Sequence, residues 1–190
     1  MDGVIADFDA QVKAHDLYLP DGELVDDGQN LDQEWWTSIP VYPGARGFYD
    51  DLAKLSKVMF LTGAKRNPGS YAGKAQWILN FVPERGKAIL YDFITCPKFS
   101  KYLLAKPTRI LVDDNKDVVD RWIRAGGIGV LHKGNFQETL ERTRLAVEQI
   151  KQSQKPAYSR LFDAFTQAVG RIWGHHSEPV PRPPQNPQPG

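Results

Sequence analysis

Apolar positions between Val4 and Lys151 alternate between two kinds of segment. Short β-branched or apolar runs at Lys57–Thr62, Lys87–Tyr91, Arg109–Asp113 and Gly129–Leu131 predict strands. Longer stretches with apolar residues returning every three or four positions predict helices over Gly47–Leu55, Tyr71–Phe81, Lys116–Ala125 and Asn135–Lys151. Strands alternating with helices specify an α/β fold with a parallel sheet and crossover helices, expected here as a Rossmann-like three-layer α/β/α sandwich. Gly126-Gly127 falls where the third helix needs a left-handed stop before the next strand. The stretch from Asp9 to Val41 is rich in Asp, Gly and Gln, carries Trp35-Trp36 and breaks the alternation. It reads as a small cap inserted after the first strand. In open α/β sheets ligands sit beyond the carboxyl ends of the strands, so such a cap hangs over the ligand crevice.

The apolar stripe continues past this core. Leu161, Phe165, Ala168 and Ile172, widened by Phe162, Val169 and Trp173, predict an amphipathic helix over 153–174. Six of the 14 prolines then lie between Pro179 and Pro189, and a segment of that composition, 175–190, is expected to be extended and disordered, with a PxxP-type docking peptide as its other use. The organisation expected is a core over 1–152 with its cap at about 9–41, one appended helix and a tail.

Charge narrows the function classes. With 24 basic and 23 acidic side chains the net charge is +1, and no Lys/Arg block offers a footprint for a nucleic-acid polymer or an anionic membrane. No apolar run approaches the ~20 residues that span a bilayer. The acidic opening MDGVIADFDA lacks the basic and long apolar regions of a signal peptide. Cys96 is the sole cysteine and has no disulfide partner within the chain, so the cytoplasm is the expected compartment.

Three strand ends finish in reactive groups: Asp2 in the opening segment, Thr62 closing VMFLT, and Asp113-Asp114 closing RILVDD. Adjacent carboxylates repel unless a cation shares them, and hard Mg²⁺ favours one or two carboxylates while keeping waters for a substrate phosphate. The other use of the acid pair is to cap the helix starting near Lys116. Trp35, Trp36 and Phe8 could stack on a nucleobase, or form the core of a small cap. Lys65 and Arg66 follow Thr62-Gly63, close enough in sequence to pair with a substrate phosphate or to stand in solvent.

In this order the motifs resemble the haloacid dehalogenase superfamily of phosphotransferases. MDGVIADFDA, the stretch Trp35–Ala45, FLTGAKRNP, KAQWILNFVP and KYLLAKPTRILVDDN together resemble its 5′-(deoxy)nucleotidase-like branch, from Met1 to about Lys151. The resemblance implies a Mg²⁺-dependent phosphatase that hydrolyses nucleoside or deoxynucleoside 5′-monophosphates through an aspartyl-phosphate. Asp2 matches the second Asp of D-x-D-G, which protonates the leaving oxygen and activates water. Thr62 and the Gly63 N–H would hold phosphoryl oxygens, and Lys101 would neutralise them, with Lys98 as fallback. Asp113 would ligate Mg²⁺ directly and Asp114 through water, with Asp2 also at the metal. Aromatic residues of the Trp35-Trp36 stretch would lie beside the base.

The nucleophilic Asp of the motif would fall before Met1, and with it a central strand. Either the start is assigned at an internal Met and the natural protein is longer, which the intact remaining motifs favour, or the chain is a truncated silent copy. Asp7-Phe8-Asp9 is a further D-x-D, but it lies beyond the Gly-Val that matches the turn of the motif. Two rival readings stand beside the enzyme. A receiver-type domain places its acid pair before its lysine, the reverse of the order here. A catalytically inactive nucleotide- or partner-binding protein of the same fold is the alternative from another class.

Overall fold

The computed structural model describes residues 1–19, 25 and 30–154. The predicted helix at 153–174 and the proline-rich tail lie outside these residues, apart from the first two positions of that helix. Within the first compact unit, Met1–Ile150, the helices are α1 (Phe8–Ala14), α2 (Gln33–Thr37), α3 (Ala45–Leu55), α4 (Pro68–Phe81), α5 (Lys116–Arg124) and α6 (Phe136–Gln154, which runs on past Ile150). Strands β1 (Phe60–Thr62), β2 (Phe93–Thr95), β3 (Ile110–Asp113) and β4 (Ile128–Leu131) alternate with the later helices. The fold is α/β, as the patterning predicts, and its strand pairs are parallel. No helix among the described residues is long and apolar enough to cross a membrane.

Local chemistry sets these boundaries. Asp7, Asp32, Asn67 and Asn115 each accept a backbone N–H of the first turn of the helix they precede, and Pro68 takes the first helical position of α4, where no donor is needed. After α5, Gly126 adopts φ +90°, the left-handed stop expected there. Gly127 serves differently, because a Cβ on it would lie 2.1 Å from the Trp122 indole nitrogen. The insertion is less irregular than its composition suggests, since it contributes α1 and α2.

One strand is displaced from its predicted place. Lys87–Tyr91 is not a strand: Pro83–Asp92 forms 3₁₀ turns broken by Gly86, and the strand begins at Phe93. Ala88-Ile89-Leu90 is apolar because Ile89 is buried in the core, whereas Tyr91 is largely exposed, so the run does not supply the two covered faces of a central strand. Asp92, buried and paired with Lys57 and Arg85, then anchors the entry to β2. The first predicted strand is shorter than its apolar run, pairing only over Phe60–Thr62 with Phe93–Thr95.

The named strands form two separate two-stranded parallel sheets, β1–β2 and β3–β4. Among the described residues no ladder joins β1 to β3. Instead the opening segment touches both at their carboxyl ends: Asp2 reaches Thr62 of β1, and Gly3 abuts Asp114 just after β3. The main core gathers Trp36, Phe48, Tyr49, Phe60, Trp77, Phe81 and their neighbours.

Helices α2 and α4 pack in close approach at Gly73. A Cβ there would sit 2.3 Å from Trp36 Cβ and 2.7 Å from the Gln33 carbonyl oxygen. In an open helix Gly→Ala stabilises by about 0.5–1 kcal/mol, but overpacking a tight contact costs about 1–3 kcal/mol. Gly73→Ala is therefore expected to lower stability by ~1–2 kcal/mol in a denaturant titration; a gain would show that α2 stands away from α4.

Candidate functional site

The site is built where the chain turns sharply. In the opening segment the Met1 carbonyl accepts hydrogen bonds from the N–H groups of Val4, Ile5 and Ala6, which curls Asp2 toward the end of β1. Gly3 has φ +69°, a conformation other residues rarely adopt, and a Cβ on it would come within 2.1 Å of Asp114 Oδ2 and displace that carboxylate, so glycine is strongly favoured here. Thr62 closes β1 with its side chain buried, and its Oγ1 lies 3.4 Å from Asp2 Oδ2.

Two lysines reach this edge from different elements. Lys101, on the 3₁₀ segment Lys98–Leu104, is 7% exposed and donates to Asp113 Oδ2 at 2.7 Å. Lys74, on α4, is 0% exposed; its Nζ is paired with Asp2 Oδ2, donates to Thr62 Oγ1 at 3.2 Å and lies 4.9 Å from the centre of the Trp36 ring. Each lysine thus neutralises one carboxylate. Leaving either charge buried without its partner would cost several kcal/mol.

The carboxylates differ in state. Burial pushes the Asp2 carboxyl up, but the charges of Lys74 and the terminal amine outweigh it and hold Asp2 below its ordinary value. Burial, outweighing Asp2, lowers Lys74. Asp114 is raised, first by burial and then by the charge of Asp113. Burial, followed by the charge of Lys101, lowers the Met1 amine to about 6. Asp113 spends both oxygens, Oδ2 on Lys101 and Oδ1 on the Asn115 N–H at 3.0 Å.

Among the described residues no three His, Cys, Asp or Glu side chains converge as a preformed metal cluster. The donors nevertheless suit a hard cation. Asp2 Oδ1 is a buried carboxylate oxygen with no hydrogen-bond partner, and Asp114 is a crowded carboxyl whose raised value a neighbouring cation would relieve. The oxygens open to a cation are on Asp2 and Asp114, whereas Asp113 is engaged with Lys101.

The residues singled out from the sequence are thus only partly brought together. Asp2, Thr62, Lys101, Asp113 and Asp114 share one edge. Gly63 follows Thr62 and packs on the Lys98 backbone, 3.6 Å from the place of its missing Cβ. Lys98 itself is exposed, its ammonium 5.6 Å from the Phe99 ring, so Lys101 is the lysine that enters the edge. Arg66 is exposed in the loop after β1. Asp7 caps α1 through Ala10 N.

Trp35 and Trp36 are 8% and 1% exposed, packed edge-on to each other at 5.0 Å, and Phe8 stacks on Trp36 at 5.8 Å. Of the two uses open to this aromatic group, the structure displays the cap core. Lys74 escaped the sequence reading, yet a signal was present. Lys74, Trp77, Ile78 and Phe81 fall at i, i+3, i+4 and i+7 and are all buried, so a lysine occupies a position of the apolar face.

Comparison with protein-family models and with curated proteins returns no match to this chain.

The raised Asp114 gives a pH test with a definite sign. A carboxyl whose folded value is raised supports the fold below its unfolded value, near pH 4, and that support is lost as pH rises through the folded value. Asp114→Asn is therefore expected to be more stable than wild type at pH 7, with the gap closing below about pH 4. Denaturant unfolding at the two pH values measures it; a gap of equal size at both would show that crowding of charge is not the cause.

Proposed function

We propose that this chain is the phosphoryl-binding core of a Mg²⁺-dependent phosphomonoester hydrolase of haloacid dehalogenase type, acting on nucleoside or deoxynucleoside 5′-monophosphates. The observation that carries the proposal is the meeting of Asp2, Thr62, Lys101 and Asp113-Asp114 where the opening turn touches the carboxyl ends of β1 and β3; these groups lie up to 112 positions apart in sequence. Structural pairing alone gives no reason for two buried lysines and three carboxylates to gather at the carboxyl ends of parallel strands.

The chemistry follows from the groups. Thr62 Oγ and the Gly63 N–H donate to non-bridging phosphoryl oxygens, neutral donors at the tight turn after a strand. Lys101 neutralises the charge of the phosphoryl oxygens and lessens their repulsion of the attacking carboxylate. Asp2, ionised beside Lys74 before a phosphoryl group enters, is the base that takes a proton from water in the second half-reaction. To act as acid toward the leaving oxygen it must first be protonated, which the turning of Lys74 toward the entering phosphoryl oxygens would favour. Mg²⁺, held by Asp2 and Asp114 with Asp113 beside them, would supply charge neutralisation and orient the phosphoryl group. The nucleophile of this scheme is a carboxylate that forms the aspartyl-phosphate, two positions before Asp2 in D-M-D-G. Its strand would enter between β1 and β3, whose facing edges carry no ladder among the described residues. Support for a base beside this site is narrower: the buried indole N–H groups of Trp35 and Trp36 have no acceptor.

The test compares the 190-residue chain with a version extended upstream of Met1 by an apolar strand ending in Asp. The extended protein is expected to release phosphate from nucleoside 5′-monophosphates with Mg²⁺, and to melt more cooperatively. Asp2→Asn is expected to lower its turnover by ~10²–10⁴-fold. The unextended chain is expected to bind nucleotide without turnover. Mg²⁺-dependent phosphate release by the unextended chain that survives Asp2→Asn would sink the mechanism. An extended protein that binds nucleotide but never turns it over would point instead to the inactive binding protein.

A further inference from the structure

We propose that Lys74 is a second phosphoryl-binding lysine, donating to a non-bridging oxygen of the dianionic phosphoryl group beside Thr62. This rests on the phosphomonoesterase reading and adds to it a residue that the resemblance leaves unassigned.

Lysine is among the residues least often fully buried, because its ammonium loses water unless it is paired. Lys74 is wholly buried, whereas the Asp2 side chain is 29% exposed and its Oδ1, itself a buried atom, has no hydrogen-bond partner. A pair serving packing alone would bury both members and satisfy both oxygens. Here α4 holds the buried lysine against a carboxylate whose second oxygen is left unsatisfied.

The geometry of Thr62 joins Lys74 to the ligand position. Its Oγ1 is 3.2 Å from Lys74 Nζ. A phosphoryl oxygen that accepts from Thr62 Oγ1 would stand about 2.5–2.7 Å from that oxygen, within reach of Lys74 Nζ by side-chain rotation alone. Lys101, in contrast, is directed at Asp113, 2.7 Å away. The ammonium already bonded to the threonine is the one on α4.

An ammonium carries three donors. Asp2 Oδ2 and Thr62 Oγ1 take two of those on Lys74, and the Trp36 ring lies 4.9 Å from the same nitrogen. The ring offers the cation an electrostatic surface while it shifts from Asp2 toward an incoming anion. The charge count agrees. Asp2, Asp113 and Asp114 bring three formal negative charges against the positive charges of Lys74, Lys101 and the Met1 amine, so a dianion entering this edge needs every cation there.

The probe is inorganic phosphate, titrated calorimetrically into the 190-residue chain with Mg²⁺ and again with chelator. Lys74→Met keeps the length of the side chain and removes its charge. It is expected to weaken phosphate binding at least ~10-fold in both conditions, the loss typical of one charge-assisted hydrogen bond. Because that variant leaves Asp2 without its cation, the double variant Asp2→Asn/Lys74→Met, which removes both charges, is compared with Asp2→Asn alone and should show the same added loss. A folded Lys74→Met, or double variant, with unchanged phosphate affinity relative to its parent would overturn the proposal while leaving the hydrolase reading intact. Wild type that takes up no phosphate in either condition would overturn both.

Discussion

Two ion pairs made by buried lysines, Lys74 with Asp2 and Lys101 with Asp113, are the constraint on which the arrangement of this protein depends. Ammonium and carboxylate groups leave water only when their partners are fixed in place, and separating either pair would leave a lone charge buried. That requirement ties the opening turn to α4 and the 3₁₀ segment Lys98–Leu104 to β3. It holds together elements that backbone hydrogen bonding does not, since the two strand pairs share no ladder among the described residues. The same two pairs close the core around the carboxyl ends of β1 and β3.

Much of the fold was legible because several signals agreed at the same positions. Around β3 and α5, an apolar run and a Gly stop mark one strand, one helix and its end, and the structure follows them to within a residue; the cap is Asn115 rather than the acid pair before it. The error at Lys87–Tyr91 arose where the pattern was ambiguous. A short apolar run fits a covered strand or a single buried turn, and tertiary contacts at Ile89 and Asp92 select the turn. Helix α1 was missed because seven residues give too few repeats for a period to stand out, although Asp7 was available as a cap.

The candidate site was legible in its acids and its threonine, because apolar strands ending in polar residues concentrate chemistry at one sheet edge. Lys101 entered through resemblance, and its burial against Asp113 separates it from exposed Lys98 in a way that spacing does not. Lys74 was hidden by the habit of reading lysine as a surface residue. Its place on the apolar face of α4 becomes informative only once a carboxylate 72 positions away is known to face it. Trp36 carries a related ambiguity: the large aromatic ring that can stack on a ligand is also what a small cap needs for a core.

The contact at Gly73 has a consequence for how such a cap can diversify. With no side chain at Gly73, α2 rests directly on the α4 backbone, and the next residue along is Lys74; Trp77 on the same helix donates to the Ile39 carbonyl just beyond α2. The cap and the helix that supplies a site lysine are therefore one mechanical part. Recombination that exchanged residues 30–44 alone would seat a foreign surface on Gly73 and shift the lysine, whereas exchanging them together with residues 67–82 would carry the fitted pair intact. Tolerated change in this region is then expected to need both segments together, far apart in sequence and adjacent in space.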